Sequence, residues 1–138
     1  MILISLKILL DTNFLLIPAQ FGIDIFQELD RIISKQFELI IIPDIIEELK
    51  KISKGSIKRQ KETNIALELS KRCKLIELNS TNHAFQTVDD HIIRSAVKNR
   101  WIVATNDRNL RKKLRAHQIP VIILRKKSYL FIDGEIPS

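Results

Sequence analysis

Four carboxylates stand out by position: Asp11, Glu48, Asp89 and Asp107. They are far apart in the chain, yet each follows a strand-like apolar run or lies near the start of a helix-like one. In a chain that alternates strand and helix, such positions gather at one edge of a parallel sheet, outside the carboxyl ends of its strands. Carboxylates gathered in one cleft repel each other unless a divalent cation neutralises them. The net charge is +7, so this acidic pocket would sit in a basic surface. That contrast suggests metal-assisted cleavage of a nucleic acid.

Each acid also has a simpler reading. Asp and Asn are favoured helix N-caps, and Asp44, Asp89 and Asp107 all fall where a cap is expected. Glu48 differs, because it lies inside a helix beside the core residue Leu49. Asp11 differs too, because it ends a buried apolar strand. The set of four carries the functional reading, and no single member does.

The chemistry calls for such a set. Phosphodiester cleavage needs an activated water, a neutralised phosphate and a stabilised leaving oxygen. Two Mg²⁺ or Mn²⁺ ions about 4 Å apart supply all three. Hard cations take oxygen ligands and Mg²⁺ keeps several waters, so three or four carboxylates are enough. His83, His91 and His117 are too scattered to suggest zinc. Cys73 is the only cysteine, which excludes a disulfide and a cysteine-based zinc site and points to a reducing, cytoplasmic setting. No glycine-rich phosphate loop is present, which argues against a nucleotide-binding α/β protein.

The bases are clustered behind the acids. Lys50, Lys51 and Lys54, continued by Lys58, Arg59 and Lys61, follow Glu48. Arg108, Arg111 and Lys112, with Lys113 and Arg115, follow Asp107, and Arg125, Lys126 and Lys127 come later. A solvated helix face explains any one cluster. Together they make a polyanion the expected partner, with Lys50, Lys51, Lys54, Arg108, Arg111 and Lys112 on its phosphates.

The elements that position these residues follow from periodicity. Strands are expected over 2–10, 38–42, 74–78, 101–105 and 119–124, with a further one over 129–132. Helices are expected over about 23–34, from Pro43 or Asp44 until Gly55 breaks it, over 59–72, from Thr87 or Asp89, and over 107–116. Their inward residues include Ile45, Leu49, Ile65, Ala66, Leu69, Val88, Ile92, Ala96, Val97, Leu110 and Leu114. Residues 79–86 read as polar loop. The apolar run from Met1 to Leu10 lacks a basic start and is cut by Asp11, so a strand is expected there and not a leader or membrane anchor. At 138 residues one domain spanning 1–138 is expected. Its class is α/β: a three-layer α/β/α sandwich with a mainly parallel central sheet.

These residues resemble a family. The run Ile8-Leu9-Leu10-Asp11-Thr12-Asn13 resembles the "LDTN" strand end of PIN-domain ribonucleases. Pro43 through Glu48-Leu49 looks like the family's proline-led helix with an acid before leucine. Val88-Asp89-Asp90-His91-Ile92, with Ala96 downstream, resembles its third acidic motif, and Ile102 through Arg108 its strand ending in "TNDR". Four motifs in order span nearly the whole chain.

The resemblance implies Mg²⁺ or Mn²⁺ held by Asp11, Glu48, Asp89 and Asp107. Asp11 and Asp107 would bind the principal ion, with Asp89 bridging or holding a second, and Glu48 binding metal or orienting water. It further implies support from Asn13 and Thr105, with Asp90 as a substitute or helper for Asp89 and Glu47 as the alternative to Glu48. The product ends would be 5′-phosphate and 3′-hydroxyl.

Two branches of the family compete. The stretch from Leu16 to Phe26, with Val88-Asp89-Asp90 and Arg125-Lys126-Lys127, looks like the short archaeal form of the small-subunit ribosomal RNA-processing nucleases. That branch implies ribosomal RNA precursor as substrate and ribosome-assembly factors as partners. The other branch is the VapC-type toxin, which pairs with an antitoxin. A homodimer fits either. A non-catalytic PIN-like RNA-binding scaffold, a nuclease of branched or flapped DNA and a plain basic interaction module are the remaining readings.

Overall fold

A computed structural model describes residues 5–77 and 87–136. The elements in order are β1 (Leu6–Leu10), α1 (Thr12–Leu15), α2 (Ile17–Phe21), α3 (Ile25–Ile32), β2 (Phe37–Ile41), α4 (Pro43–Ile52), α5 (Ile57–Ser70), β3 (Lys74–Leu75), α6 (Val88–Asn99), β4 (Ile102–Ala104), α7 (Arg108–Ala116), β5 (Val121–Arg125) and β6 (Tyr129–Asp133). The sheet order is β3-β2-β1-β4-β5-β6. Every pairing is parallel except β5 with β6.

The strands are apolar on both sides because helices cover the sheet. Ile8, Leu9 and Leu10 of β1 and Ile102, Val103 and Ala104 of β4 are buried. Each large aliphatic side chain removed from water contributes about 1.5–3 kcal/mol. This central pair of strands anchors the core. It is also where the chain changes direction: β1 leads outward to β2, and the chain later returns to place β4 on the other side of β1. A crevice opens at the strand ends of such a switch point.

Two short helices, α1 and α2, fill residues 12–21, where no helix was expected. Asp11 caps α1, accepting from Thr12 N, and Pro18 sits in the first turn of α2, where its missing N–H costs nothing. Gly22, with φ 67°, ends α2 in the left-handed region that glycine adopts without strain. Each piece is too short for a periodic apolar stripe to show.

Two inward assignments are corrected. Ile65 is 46% exposed and Val97 is 40% exposed. The apolar residues of α5 are spread around the helix, and it instead turns Glu62, Thr63, Ala66 and Ser70 inward. On α6 the buried residues are Ile92, Ser95 and Ala96, which leaves Val97 outside.

The start of α6 also differs. Thr87 is its cap, and Asp90 closes a capping box, so Asp89 caps nothing. Likewise Asp44 is not the cap of α4, whose first turn opens with Ile42 and Pro43. The expected strand residue Leu78, the loop 79–86 with His83, and the first residues of the expected strand 2–10 lie outside the described residues. No helix among the described residues is long and apolar enough to cross a membrane.

Candidate metal-binding active site

The ends of β1 and β4 meet through backbone. Asp11 N donates to Ala104 O at 3.0 Å, which fixes Asp11 beside Thr105. Asp11 is buried, at 7% exposed. Its Oδ1 accepts from Thr12 N at 2.8 Å, and its Oδ2 accepts from Thr105 Oγ1 at 2.6 Å. Asn13 Nδ2 donates more weakly to the same Oδ2, at 3.4 Å. Thr105, fully buried, also accepts from Asp107 N at 3.1 Å. One hydroxyl therefore joins the two acids that end adjacent strands.

Glu48 reaches this corner from α4. Thr12 Oγ1 donates to its Oε2 at 3.0 Å, so the residue next to Asp11 orients the second acid. This separates Glu48 from Glu47, which lies exposed on the same helix. Asp107 caps α7, accepting from Asn109 N at 2.9 Å and Leu110 N at 3.1 Å. Both bonds go to Oδ1, which leaves Oδ2 for other work.

The four acids feel one another. Burial raises the Asp11 pKa most; the bonds from Thr105 and Thr12 oppose it, while Glu48 and Asp89 add to it. Burial likewise raises the Asp89 pKa, followed by repulsion from Asp107; nearby Lys113 pulls it down, and Glu48 and Asp90 push it up. None of the four forms an ion pair with a lysine or arginine among the described residues. All four are hard oxygen donors, crowded and without an ion-pair partner among the described residues, which is the donor chemistry that suits Mg²⁺ or Mn²⁺. Among the described residues no three His, Cys, Asp or Glu side chains already stand as a finished coordination set. A small hard cation that keeps several waters does not require one.

A cleft of about 340 Å³ opens between α4 and the start of α6, lined by Asp44, Glu47, Glu48, Lys51, Thr87 and Asp89. Beside it, His91 Nδ1 meets both Asp44 oxygens, at 3.2 and 3.1 Å. This bond ties the helix of Glu48 to the helix of Asp89. The other ring nitrogen of His91 is buried without a partner, so Asp44 is the ring's polar anchor.

Several expected site residues have other work. Asp90 is exposed and accepts weakly from Thr87 N, at 3.4 Å, so it is a capping residue and not a stand-in for Asp89. Its charge still reaches Asp89. Arg111 Nε donates to Asp133 at 2.9 Å and is therefore engaged, not free for phosphate. Lys50, Lys51, Lys54, Arg108 and Lys112 are exposed.

Two contributors were missed. Lys113 is the cation that reaches Asp89, and its place in a run of bases hid it. Asn106 donates its backbone N–H to Asn13 Oδ1 at 3.1 Å, while its own Oδ1 accepts from Leu124 N at 2.9 Å, pinning the loop after β4 to β5. Only its place between Thr105 and Asp107 could have signalled this.

Comparison with known proteins bears on the fold and the family. A family model described as a PIN like domain matches residues 8–127. Ribonuclease VapC4 of Methanocaldococcus jannaschii is 37% identical over 134 residues, covering 94% of this chain and 98% of that protein. The structure of the PIN domain endonuclease Utp24 superposes with a TM-score of 0.75 at 23% identity, covering 94% of this chain and 92% of that one. VapBC2 from Rickettsia felis, bound to a DNA fragment from their promoter, gives 0.63 at 14%, covering 86% and 99%. The two structural likenesses show the fold; the family model and the curated relative go further, and by them this chain belongs to the PIN-like domain family.

Proposed function

We propose that this chain is a divalent-metal-dependent endoribonuclease that hydrolyses phosphodiester bonds, with ribosomal RNA precursor as its substrate. The observation that supports it best is the gathering of Asp11, Glu48, Asp89 and Asp107 around one strand-end crevice, with no ion pair to a lysine or arginine among the described residues and with Lys113 attracting Asp89 from nearby. Asp11 and Asp107 would hold the principal ion, with Asp89 bridging or holding a second. When bound, Mg²⁺ or Mn²⁺ supplies charge neutralisation at the phosphate and lowers the pKa of water.

The chain's own residues do the rest. Thr105 and Thr12 orient Asp11 and Glu48 by direct hydrogen bonds. Glu48, half-buried at the cleft, is placed to accept a proton from the attacking water or to orient it. Lys50, Lys51, Lys54, Arg108 and Lys112 hold flanking phosphates and bring the RNA to the acids. The product ends are 5′-phosphate and 3′-hydroxyl. The lone, half-buried Cys73 suits a cytoplasmic setting.

The test incubates the protein with Mn²⁺ and an end-labelled RNA spanning the start of the small-subunit ribosomal RNA, beside Asp11→Asn and a chelator control. A discrete product absent from both controls is the expected result. Uncut RNA with folded protein at every Mn²⁺ concentration would refute the reading.

A second reading has its own support: the 37% identical relative is a VapC ribonuclease, and another VapC forms a complex with a partner in VapBC2. Under that reading the chemistry is the same, and an antitoxin covers the site. Growth arrest on expressing the wild-type chain, and not Asp11→Asn, would favour the toxin over the processing enzyme.

A further inference from the structure

Away from the acidic cluster, a groove of about 750 Å³ runs between the end of α2 and the first half of α5. Its walls are apolar: Phe21, Ile57 and Ile65 line it and remain exposed. Its rim is basic, carrying Lys58, Arg59 and Lys61. Between walls and rim lies Glu62, which lines the groove yet is only 7% exposed. It forms no hydrogen bond or ion pair among the described residues. None of its oxygens is both buried and unpartnered, so this largely buried side chain keeps its carboxylate open to the groove, where a donor from outside the chain can reach it.

The chemistry of that donor is restricted. An ionised carboxylate only accepts, through two oxygens side by side. Its natural partner presents two adjacent N–H groups. Among nucleobases only guanine does so on its pairing edge, with N1–H and the N2 amine. Adenine and cytosine set one amine beside an acceptor nitrogen, and uracil sets its N–H between two carbonyls. An arginine side chain of a protein would also match, but three rim cations repel it and attract a polyanion. Phe21 offers a face on which an unpaired base can stack. Lys50, Lys51 and Lys54 lead from the α4 acid towards α5, along a path a phosphate backbone can follow.

We propose that the groove between α2 and α5 is a subsite for an unpaired guanine of the RNA substrate, with Glu62 reading its pairing edge, Phe21 stacking on it, and Lys58 and Arg59 holding the adjacent phosphates. This selectivity subsite rests on the ribonuclease reading above.

Fluorescence anisotropy in EDTA, where no cleavage intrudes, tests it. The probes are short uridine-rich RNAs carrying a single guanine, inosine or adenine. The guanine RNA should bind about tenfold more tightly than the adenine RNA, as one good bidentate contact does. Inosine, which lacks the N2 amine, should lose most of that gain. Glu62→Gln should erase the guanine preference while melting within a few degrees of wild type. Phe21→Ala should weaken all three RNAs alike. If Glu62→Gln does not fold, the inosine comparison on wild-type protein decides.

Equal affinity for the three RNAs, or a guanine preference that survives Glu62→Gln, would overturn the proposal. So would binding of acetylarginine amide that is lost in Glu62→Gln and comes without any RNA preference, because it would assign the groove to a protein partner. The two ideas fail separately. Cleavage without guanine preference overturns only the subsite, and guanine preference without Mn²⁺-dependent cleavage overturns only the nuclease.

Discussion

Asp107 is asked to do two things at once, and its hydrogen bonds make them separable. Both cap bonds, from Asn109 N and Leu110 N, fall on Oδ1. Asparagine has one carbonyl oxygen and can keep both. Asn and Asp cap about equally well. Loss of the negative charge forfeits a helix-dipole interaction of about 0.3–1 kcal/mol, and relief of the repulsion with Asp89 offsets part of it. Asp107→Asn should therefore stay within about 0.5 kcal/mol of wild type. Asp107→Ala loses both cap bonds and should cost about 1 kcal/mol, up to about 2. In a thermal scan of a domain this size, each 1 kcal/mol moves Tm by about 3–5 °C. Cleavage with Mn²⁺ should fall by on the order of 100-fold or more in both variants, since loss of a ligand exceeds loss of an outer partner. Circular dichroism melting and a gel assay read the two effects side by side. An Asn variant that melts as early as the Ala variant would refute the cap geometry. One that cleaves like wild type would remove Asp107 from the site.

Other predictions follow from different parts of the fold. Asp44→Ala should cost about 1 kcal/mol in urea denaturation, because it leaves both His91 ring nitrogens without a partner, and Asp44→Asn should cost less. Lys126 and Lys127 have φ of 52° and 51° in the turn between β5 and β6, where side-chain-bearing residues are strained. Replacing them by Asn and Gly should raise stability by about 1–2 kcal/mol, and an unchanged Tm would contradict that conformation. Burial pushes the Cys73 thiol from 9.0 up to about 11. The folded state thus keeps the proton longer than the unfolded state, so the stabilisation is complete below pH 9 and lost as pH rises through about 11. Alkylation of native Cys73 at pH 8 should accordingly be far slower than in urea.

The sequence was most informative where one residue type has one physical use. An aspartate ending the buried run Ile8-Leu9-Leu10 has little reason to be there except a site, and it lies at the switch point. The basic runs were visible as charge but not as contacts. Nothing local could tell that Arg111 pairs with Asp133, 22 residues on, while Lys113 reaches Asp89. Glu47 and Glu48 differ by about 100° around a helix, and only the bond from Thr12 decides between them. Asp89 and Asp90 were likewise ambiguous until Thr87 took the cap and used Asp90 to close it. The helices α1 and α2 escaped notice because caps and Pro18 build them, not periodicity. Ile65 is exposed for the opposite reason: the apolar residues of α5 follow no single stripe, and mostly small or polar residues, Glu62 among them, face inward.

Asp11, Glu48, Asp89 and Asp107 are proposed to form one cation site together. Titration of the protein with Mn²⁺, followed by electron paramagnetic resonance of the free ion, tests it without any substrate. Saturable binding that weakens at least tenfold in Asp11→Asn and in Glu48→Gln, with both variants folded, is the predicted result. Binding that is absent in wild type, or unchanged in both variants, would contradict it.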